Sequence, residues 1–151
     1  MEGITMEKHL LTRIEQKLNN IKDFVRRIDR YINNVEEVWE KYHDPAYQNS
    51  VVNPQRFVYK MEEFRNNNVV PLRREVEVLF SENITHAIKE QLQLILGEIE
   101  AIKAELSKGM SQIRGSEGWA YRISKEHITQ KTRHISEIVE VISGIIKTYV
   151  E

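Results

Sequence analysis

The chain has no cysteine, only three prolines and six glycines, and no long apolar run. The absence of cysteine excludes disulfides and thiolate-bound metals. With so little proline and glycine, there are few places where a helix has to end. No stretch approaches the roughly 20 apolar residues that span a bilayer, so the sequence predicts a protein that does not associate with membranes. The opening residues do not resemble a secretion signal, and we expect a cytoplasmic protein.

The total positive and negative charges of the chain nearly cancel. Twenty-two Lys and Arg oppose 23 Asp and Glu, which gives a net charge of -1. This balance argues against binding to nucleic acid or anionic lipid through bulk charge. The length of 151 residues predicts one domain, 1–151, that is large enough to bury a core.

The dominant pattern is an apolar stripe between residues 11 and 42. Its members recur at alternating steps of three and four, which is typical of a helix that packs along other helices in a bundle or coiled coil. A second apolar row beside the stripe indicates more than one neighbouring helix. The stripe consists of Leu11, Ile14, Leu18, Ile21, Val25, Ile28, Ile32, Val35, Trp39 and Tyr42.

Three breaks divide the rest of the chain. Pro45 ends the first helix, and Asn53-Pro54 is a good signal for a restart. The segment from Asn66 to Pro71 has the strongest breaking signal, because three asparagines precede a proline that removes a backbone hydrogen bond. Residues 114–118 form the last predicted turn. A weaker signal lies at residues 81–83, where Ser-Glu-Asn could cap a separate helix.

These signals predict an all-α fold with two alternatives. In the first, three long helices at about 5–43, 71–113 and 117–150 form an elongated antiparallel bundle, with a short helix at 54–67. In the second, a break near 81–83 gives an up-down four-helix bundle. We favour the first alternative, because its three long helices match one another better in length.

Aromatic residues near the end of the first helix are candidates for an interface. Trp39 and Tyr42 continue the stripe, and such residues anchor protein contacts because they bury much area with little loss of entropy. They also close the ends of helical bundles. A long stripe with a second apolar row favours helix-to-helix association, and we predict a homo-oligomer, with a dimer favoured, or a complex with another protein.

A locally basic region spans residues 103–134. Its members could form a patch that binds an anion or an acidic partner, and an overhanging, solvated helix would look the same. Lys131 also falls on the apolar stripe predicted for the last helix and interrupts it. The candidate binding residues in this region are Arg122, Lys125, Lys131, Arg133 and His134.

Within this region, Arg122 and His127 resemble the loose R-x(4–6)-H pattern of HEPN-type ribonucleases, which are also small helical bundles. The resemblance implies that these two side chains act on a ribose hydroxyl and the adjacent phosphate. It covers six residues, and Ile123 stands where that family usually has a polar residue. Because arginine is common here and the pattern is loose, one such match is expected by chance.

Metal and cofactor sites are not predicted. Glu40 and His43 have the spacing of a helical metal motif, but no second copy of that motif accompanies them. The sequence therefore favours a non-enzymatic bundle that acts through protein contacts as an assembly, adaptor or inhibitory partner. The alternative is a nucleic-acid binder or HEPN-like ribonuclease that uses Arg122 and His127. A bundle that senses a small ligand between its helices ranks third.

Overall fold

The computed structural model describes residues 7–43, 54–114 and 125–150, and the side chains of 7–34, 58–111 and 126–149. Helix α1 spans Lys8–His43. Helix α2 consists of the α-helix Pro54–Phe64, a π-helical segment Arg65–Val69 and the α-helix Val70–Phe80. Helices α3 and α4 span His86–Arg114 and Lys125–Val150. The fold is an all-α helical bundle.

The four helices alternate in direction, and each packs mainly on two neighbours. Residues 13 and 31 of α1 contact residues 82 and 64 of α2, so these two helices are antiparallel. Residues 22 and 29 of α1 contact residues 140 and 132 of α4, which makes this pair antiparallel as well. Helix α3 lies diagonally across from α1, between α2 and α4.

The apolar stripe of α1 forms one side of the hydrophobic core, as the sequence predicts. Its residues from Leu11 to Ile32 are all buried, and four of them are fully or almost fully enclosed. The prediction of an amphipathic helix with several neighbours is confirmed, because the stripe packs in one cluster with residues of α2, α3 and α4. The buried part of the stripe is Leu11, Ile14, Leu18, Ile21, Val25, Ile28 and Ile32.

Polar pairs connect the helices at the rim of each interface. Lys17 of α1 and Glu75 of α2 lie 2.7 Å apart, and Arg73 of α2 contacts Glu100 of α3 at 2.8 Å. Such partly exposed pairs contribute little to stability, but misplacing a helix would leave them unpaired. The α1–α4 and α3–α4 interfaces have similar pairs, which are Lys22–Glu140 and Glu98–Lys131.

The predicted break at residues 66–71 is wrong. The backbone stays helical from Phe64 through Val70, and the Val70 N–H donates to the carbonyl of Arg65, five residues back. Such π hydrogen bonding accommodates one extra residue in a turn. Pro71 is the second residue of the next α-helical segment, Val70–Phe80, and lies in its first turn, where proline is tolerated. The Asn68 side-chain amide also donates to the carbonyl of Phe64 at 3.2 Å.

The real break lies at residues 81–85, between α2 and α3. The Ser81 hydroxyl donates to the carbonyl of Val78, and the Ile84 N–H donates to the carbonyl of Glu82. Side chains that bond nearby backbone groups in this way compete with helix continuation. Ile84 is buried in the core, so the turn closes this end of the bundle.

The prediction of one helix over 71–113 is therefore wrong, as is the separate short helix at 54–67. The four-helix alternative, with its break near 81–83, matches the observed element order. The physical reason is that a proline breaks a regular α-helix, whereas a π turn directly before Pro71 removes the conflict. The predicted domain bounds, 1–151, include residues outside the described ranges.

Candidate functional site

The structure pairs two members of the predicted basic patch with an acid. Glu98 of α3 contacts the Lys131 ammonium at 3.7 Å and the His134 Nδ1 at 3.0 Å. The Glu98 side chain is 17% exposed, so it lies partly buried at the rim of the α3–α4 interface. Lys131 and His134 therefore help to hold α4 against α3. The ammonium group of Lys131 is therefore less available to an external anion than the sequence alone suggests.

The other members of the patch are not brought to the same place. Arg133 is exposed, and its position on α4 directs it toward a different side from Lys131 and His134. His127 is exposed one heptad before His134 and has an interaction partner. Arg122 and the side chain of Lys125 lie outside the described parts of the chain. The Arg122–His127 geometry thus stays a prediction.

The predicted interface anchors Trp39 and Tyr42 lie within α1, in the last two turns before His43. Their backbone continues the phase of the buried stripe, and their side chains lie outside the described parts of the chain. Their role as anchors also stays a prediction.

A buried polar contact that we did not predict from the sequence joins α1 and α4. The Thr132 hydroxyl donates to the carboxylate of Asp29 at 2.6 Å, and Thr132 is 1% exposed. Thr132 occupies the core stripe of α4 between Ile128 and Ile135, whereas Lys131, predicted on that stripe, lies partly buried beside it. The three-and-four spacing of 128, 132, 135 and 139 is the sequence signal that favours Thr132 over its neighbour.

The outer surface of the α3–α4 pair exposes two large apolar side chains. Leu94 is 50% exposed and Val141 is 49% exposed. Leu94 lies one turn before Glu98, and Val141 lies two turns after His134, so both share the flank on which α3 and α4 meet. Each is an apolar residue beside the buried stripe rather than on it. That offset is a signal in the sequence that we did not use to predict a surface.

Each of these apolar residues is followed three positions later by an exposed glycine. Gly97 follows Leu94, and Gly144 follows Val141. A Cβ added at either glycine would meet no atom within 4 Å, so packing within the described bundle does not require them. Glycine in an exposed helix interior costs about 1 kcal/mol relative to alanine. We name the surface formed by Leu94, Gly97, Ala101, Val141 and Gly144 the α3–α4 face.

A groove of about 210 Å³ lies between α1 and α4. Leu18 and Ile146 form its apolar part, while Lys22 and Lys147 are among its polar residues. Lys22 is already paired with Glu140. Ser143 also lines the groove.

Among the side chains that the structure describes, no group of three His, Cys, Asp or Glu is placed to hold a metal ion. None of the described helices combines the length and apolar character needed to cross a membrane. Comparisons with protein families, with curated proteins and with solved structures found no match to this chain.

Proposed function

We propose that this protein is a non-enzymatic helical bundle that acts through protein–protein interaction, as an assembly, adaptor or inhibitory partner. The observation that carries the proposal is the α3–α4 face. It combines two half-exposed apolar side chains, Leu94 and Val141, with a polar neighbour network at Glu98. An apolar centre with satisfied polar groups beside it is the usual anatomy of a protein interface.

Single exposed apolar residues are normal on proteins, so the grouping matters more than the exposure. Leu94 and Val141 lie on one flank of one helix pair, about one helical turn apart along the bundle axis. In contrast, the exposed Val78 lies on the α1–α2 side, because it is one turn from Glu75 and Glu82, which both contact α1. Val78 therefore provides a matched control.

The test compares three tagged versions of the full chain in affinity purification from the native host, followed by mass spectrometry. We expect the wild-type protein and Val78→Lys to enrich the same partner, and Leu94→Lys to lose it. All three should unfold at similar temperatures, because each substitution is on an exposed side chain. Equal enrichment by Leu94→Lys would contradict a role for the α3–α4 face.

The alternative function, a nucleic-acid binder or HEPN-like ribonuclease, depends on Arg122 and His127. The pairing of Lys131 and His134 with Glu98 reduces the support for a cationic patch. Cleavage of RNA by the purified protein that His127→Ala abolishes would favour this alternative. Nuclease activity that is unchanged in His127→Ala would not depend on His127 and would contradict this alternative.

A further inference from the structure

We infer that the groove between α1 and α4 binds a small zwitterion with an apolar part, of the class of the free apolar amino acids. This site is additional to the α3–α4 face and lies on a different pair of helices. The groove brings together an acid, Glu15, a base, Lys147, and an apolar floor formed by Leu18 and Ile146. A ligand in it would contact both helices at once.

Glu15 and Lys147 lie opposite each other across the α1–α4 interface without forming an ion pair. The Lys22 ammonium of α1 contacts the Glu140 carboxylate of α4 at 3.2 Å. Glu15 lies seven residues before Lys22. Lys147 lies seven residues after Glu140, so antiparallel packing puts the second pair opposite each other about two helical turns away. Both Glu15 and Lys147 line the groove, and neither has an ion-pair partner among the residues that the structure describes. Both charges are therefore available to a ligand.

The floor and the middle of the groove supply further contacts. Leu18 and Ile146 are buried core residues, and the groove reaches their side chains. Asn19 and Ser143 line the groove between its charged residues. Neither the Asn19 amide nor the Ser143 hydroxyl has a hydrogen-bond partner within the described part of the chain. Both groups can therefore donate hydrogen bonds to the carboxylate of a ligand.

A zwitterion is the class of small ligand that matches both charges. A simple anion would be attracted by Lys147 but repelled by Glu15, and a simple cation would meet the reverse. A purely apolar molecule would remove water from both charged groups without replacing it. A zwitterion instead places its ammonium beside the carboxylate of Glu15 and its carboxylate beside the ammonium of Lys147. Its apolar side chain then covers Leu18 and Ile146.

The size of the groove limits the ligand to a small metabolite. Its volume of about 210 Å³ equals that of about seven water molecules in the liquid. Pockets for drug-sized ligands are larger, at roughly 300–1,000 Å³. The groove therefore suits a molecule such as leucine rather than a nucleotide or a long peptide. Because the unfolded chain has no such groove, binding should stabilise the folded protein.

Calorimetric titration of the full chain with L-leucine tests the site. We expect a dissociation constant below about 1 mM and an unfolding temperature that rises with the leucine concentration. Glu15→Gln and Lys147→Gln should each weaken binding at least about tenfold, because each removes a charge-assisted hydrogen bond. The matched controls are Glu137→Gln and Arg133→Gln, which are exposed on α4 outside the groove and should bind leucine like the wild-type protein.

Three analogues test the parts of the ligand separately. Isocaproate lacks the ammonium of leucine, leucinamide lacks its carboxylate charge, and glycine lacks its apolar side chain. Each should bind at least about tenfold more weakly than L-leucine. The absence of binding up to about 10 mM L-leucine, or binding that both groove variants retain in full, would overturn the inference. The proposed function would stand in either case, because it depends on Leu94 and the α3–α4 face.

Discussion

Two segments lie on either side of residues 72–80 of α2. One contains helix-breaking residues but stays helical, and the other lacks glycine and proline but forms a turn. Residues 65–71 hold three asparagines and a proline, yet the helix continues through them. Residues 81–85 contain neither glycine nor proline, yet the chain turns there and begins α3. Local propensity alone predicts the reverse. The difference shows that the position of the core decided where this chain bends.

The spacing of buried residues gives the physical reason. Met61, Phe64, Val69 and Leu72 are all buried, and the step from Phe64 to Val69 is five residues. In a regular α-helix a step of five puts the second residue about 140° away from the first. The π turn takes up the extra residue and returns Val69 to the core side. The asparagines Asn66 and Asn67 are exposed and are compatible with this bulge.

The four-residue spacing of the apolar side chains explains why the chain turns at 81–85. The apolar row from Leu72 to Leu92 advances by four residues at a time, and each such step rotates the row by about 40° around a helix. One straight helix would therefore carry the row out of the core. The turn at 81–85 resets the phase, so that Ile84, Ile88 and Leu92 are buried again.

The largest expected effect contrasts two single-residue deletions in α2. Deletion of the exposed Asn67, combined with Pro71→Ala, should leave a folded protein, because it converts the step of five into a regular step of four. Deletion of the exposed Glu77 should unfold the protein, because it rotates Leu79 out of the core. Circular dichroism and thermal melting would measure both. Similar loss of structure in the two variants would show that the π turn does not serve to absorb an extra residue.

The burial of Tyr31, which lies beside the π turn, can be tested through the pH dependence of the free energy of unfolding. Tyr31 stacks on Phe64 with ring centroids 3.8 Å apart. Burial, and to a smaller extent the negative charge of Glu63, raises the pKa of Tyr31 above its ordinary value. Above pH 10 the unfolded chain releases this proton, whereas the folded protein retains it. The free energy of unfolding should therefore fall by up to about 1.4 kcal/mol per pH unit as the pH rises above 10.

The control for this prediction is Tyr31→Phe, which has no phenol proton. Urea denaturation between pH 9 and pH 11 should show a shallower decline for Tyr31→Phe than for the wild-type protein. Parallel curves would indicate that the Tyr31 hydroxyl is solvated in the folded state.

The turn at 81–85 contains a buried hydroxyl without a hydrogen-bond partner, and a matched pair of substitutions can test its cost. The hydroxyl of Thr85 is buried without a hydrogen-bond partner, whereas the hydroxyl of Thr132 is buried and donates to Asp29. Thr85→Val should stabilise the protein by about 1 kcal/mol, since valine removes an unsatisfied polar group at nearly the same volume. Thr132→Val should destabilise it by about 1–2 kcal/mol. Chemical denaturation measures both, and equal signs would contradict the assignment.

The smallest effect is expected at Pro71. A strained proline inside a helix costs about 3 kcal/mol, so its replacement by alanine would strongly stabilise the protein. Because the π turn accommodates Pro71, we instead expect Pro71→Ala to change the free energy of unfolding by less than about 1 kcal/mol. A gain near 3 kcal/mol in chemical denaturation would show that the proline is strained.

Much of the candidate site depends on contacts between helices that are far apart in the sequence, and residue spacing along the chain does not reveal those contacts. Lys131, Arg133 and His134 are neighbours in the sequence, but the helix directs Arg133 away from the other two, and Glu98 from a distant part of the chain pairs with those. The α3–α4 face is the opposite case. Leu94 and Val141 lie 47 positions apart in the sequence, and only the antiparallel packing of α3 and α4 brings them to one surface.

The sequence by itself determined the helical class and the buried stripe of α1. An alternation of three and four matches the periodicity of a helix so closely that no strand could bury the same residues. Only the tertiary structure decided that α2 passes through Pro71, that the chain turns at 81–85, and which charged residues face each other. These outcomes depend on the phase between distant helices. The rotation of each helix relative to the others is set when all four helices bury their apolar stripes together. The sequence of a single segment does not determine that rotation.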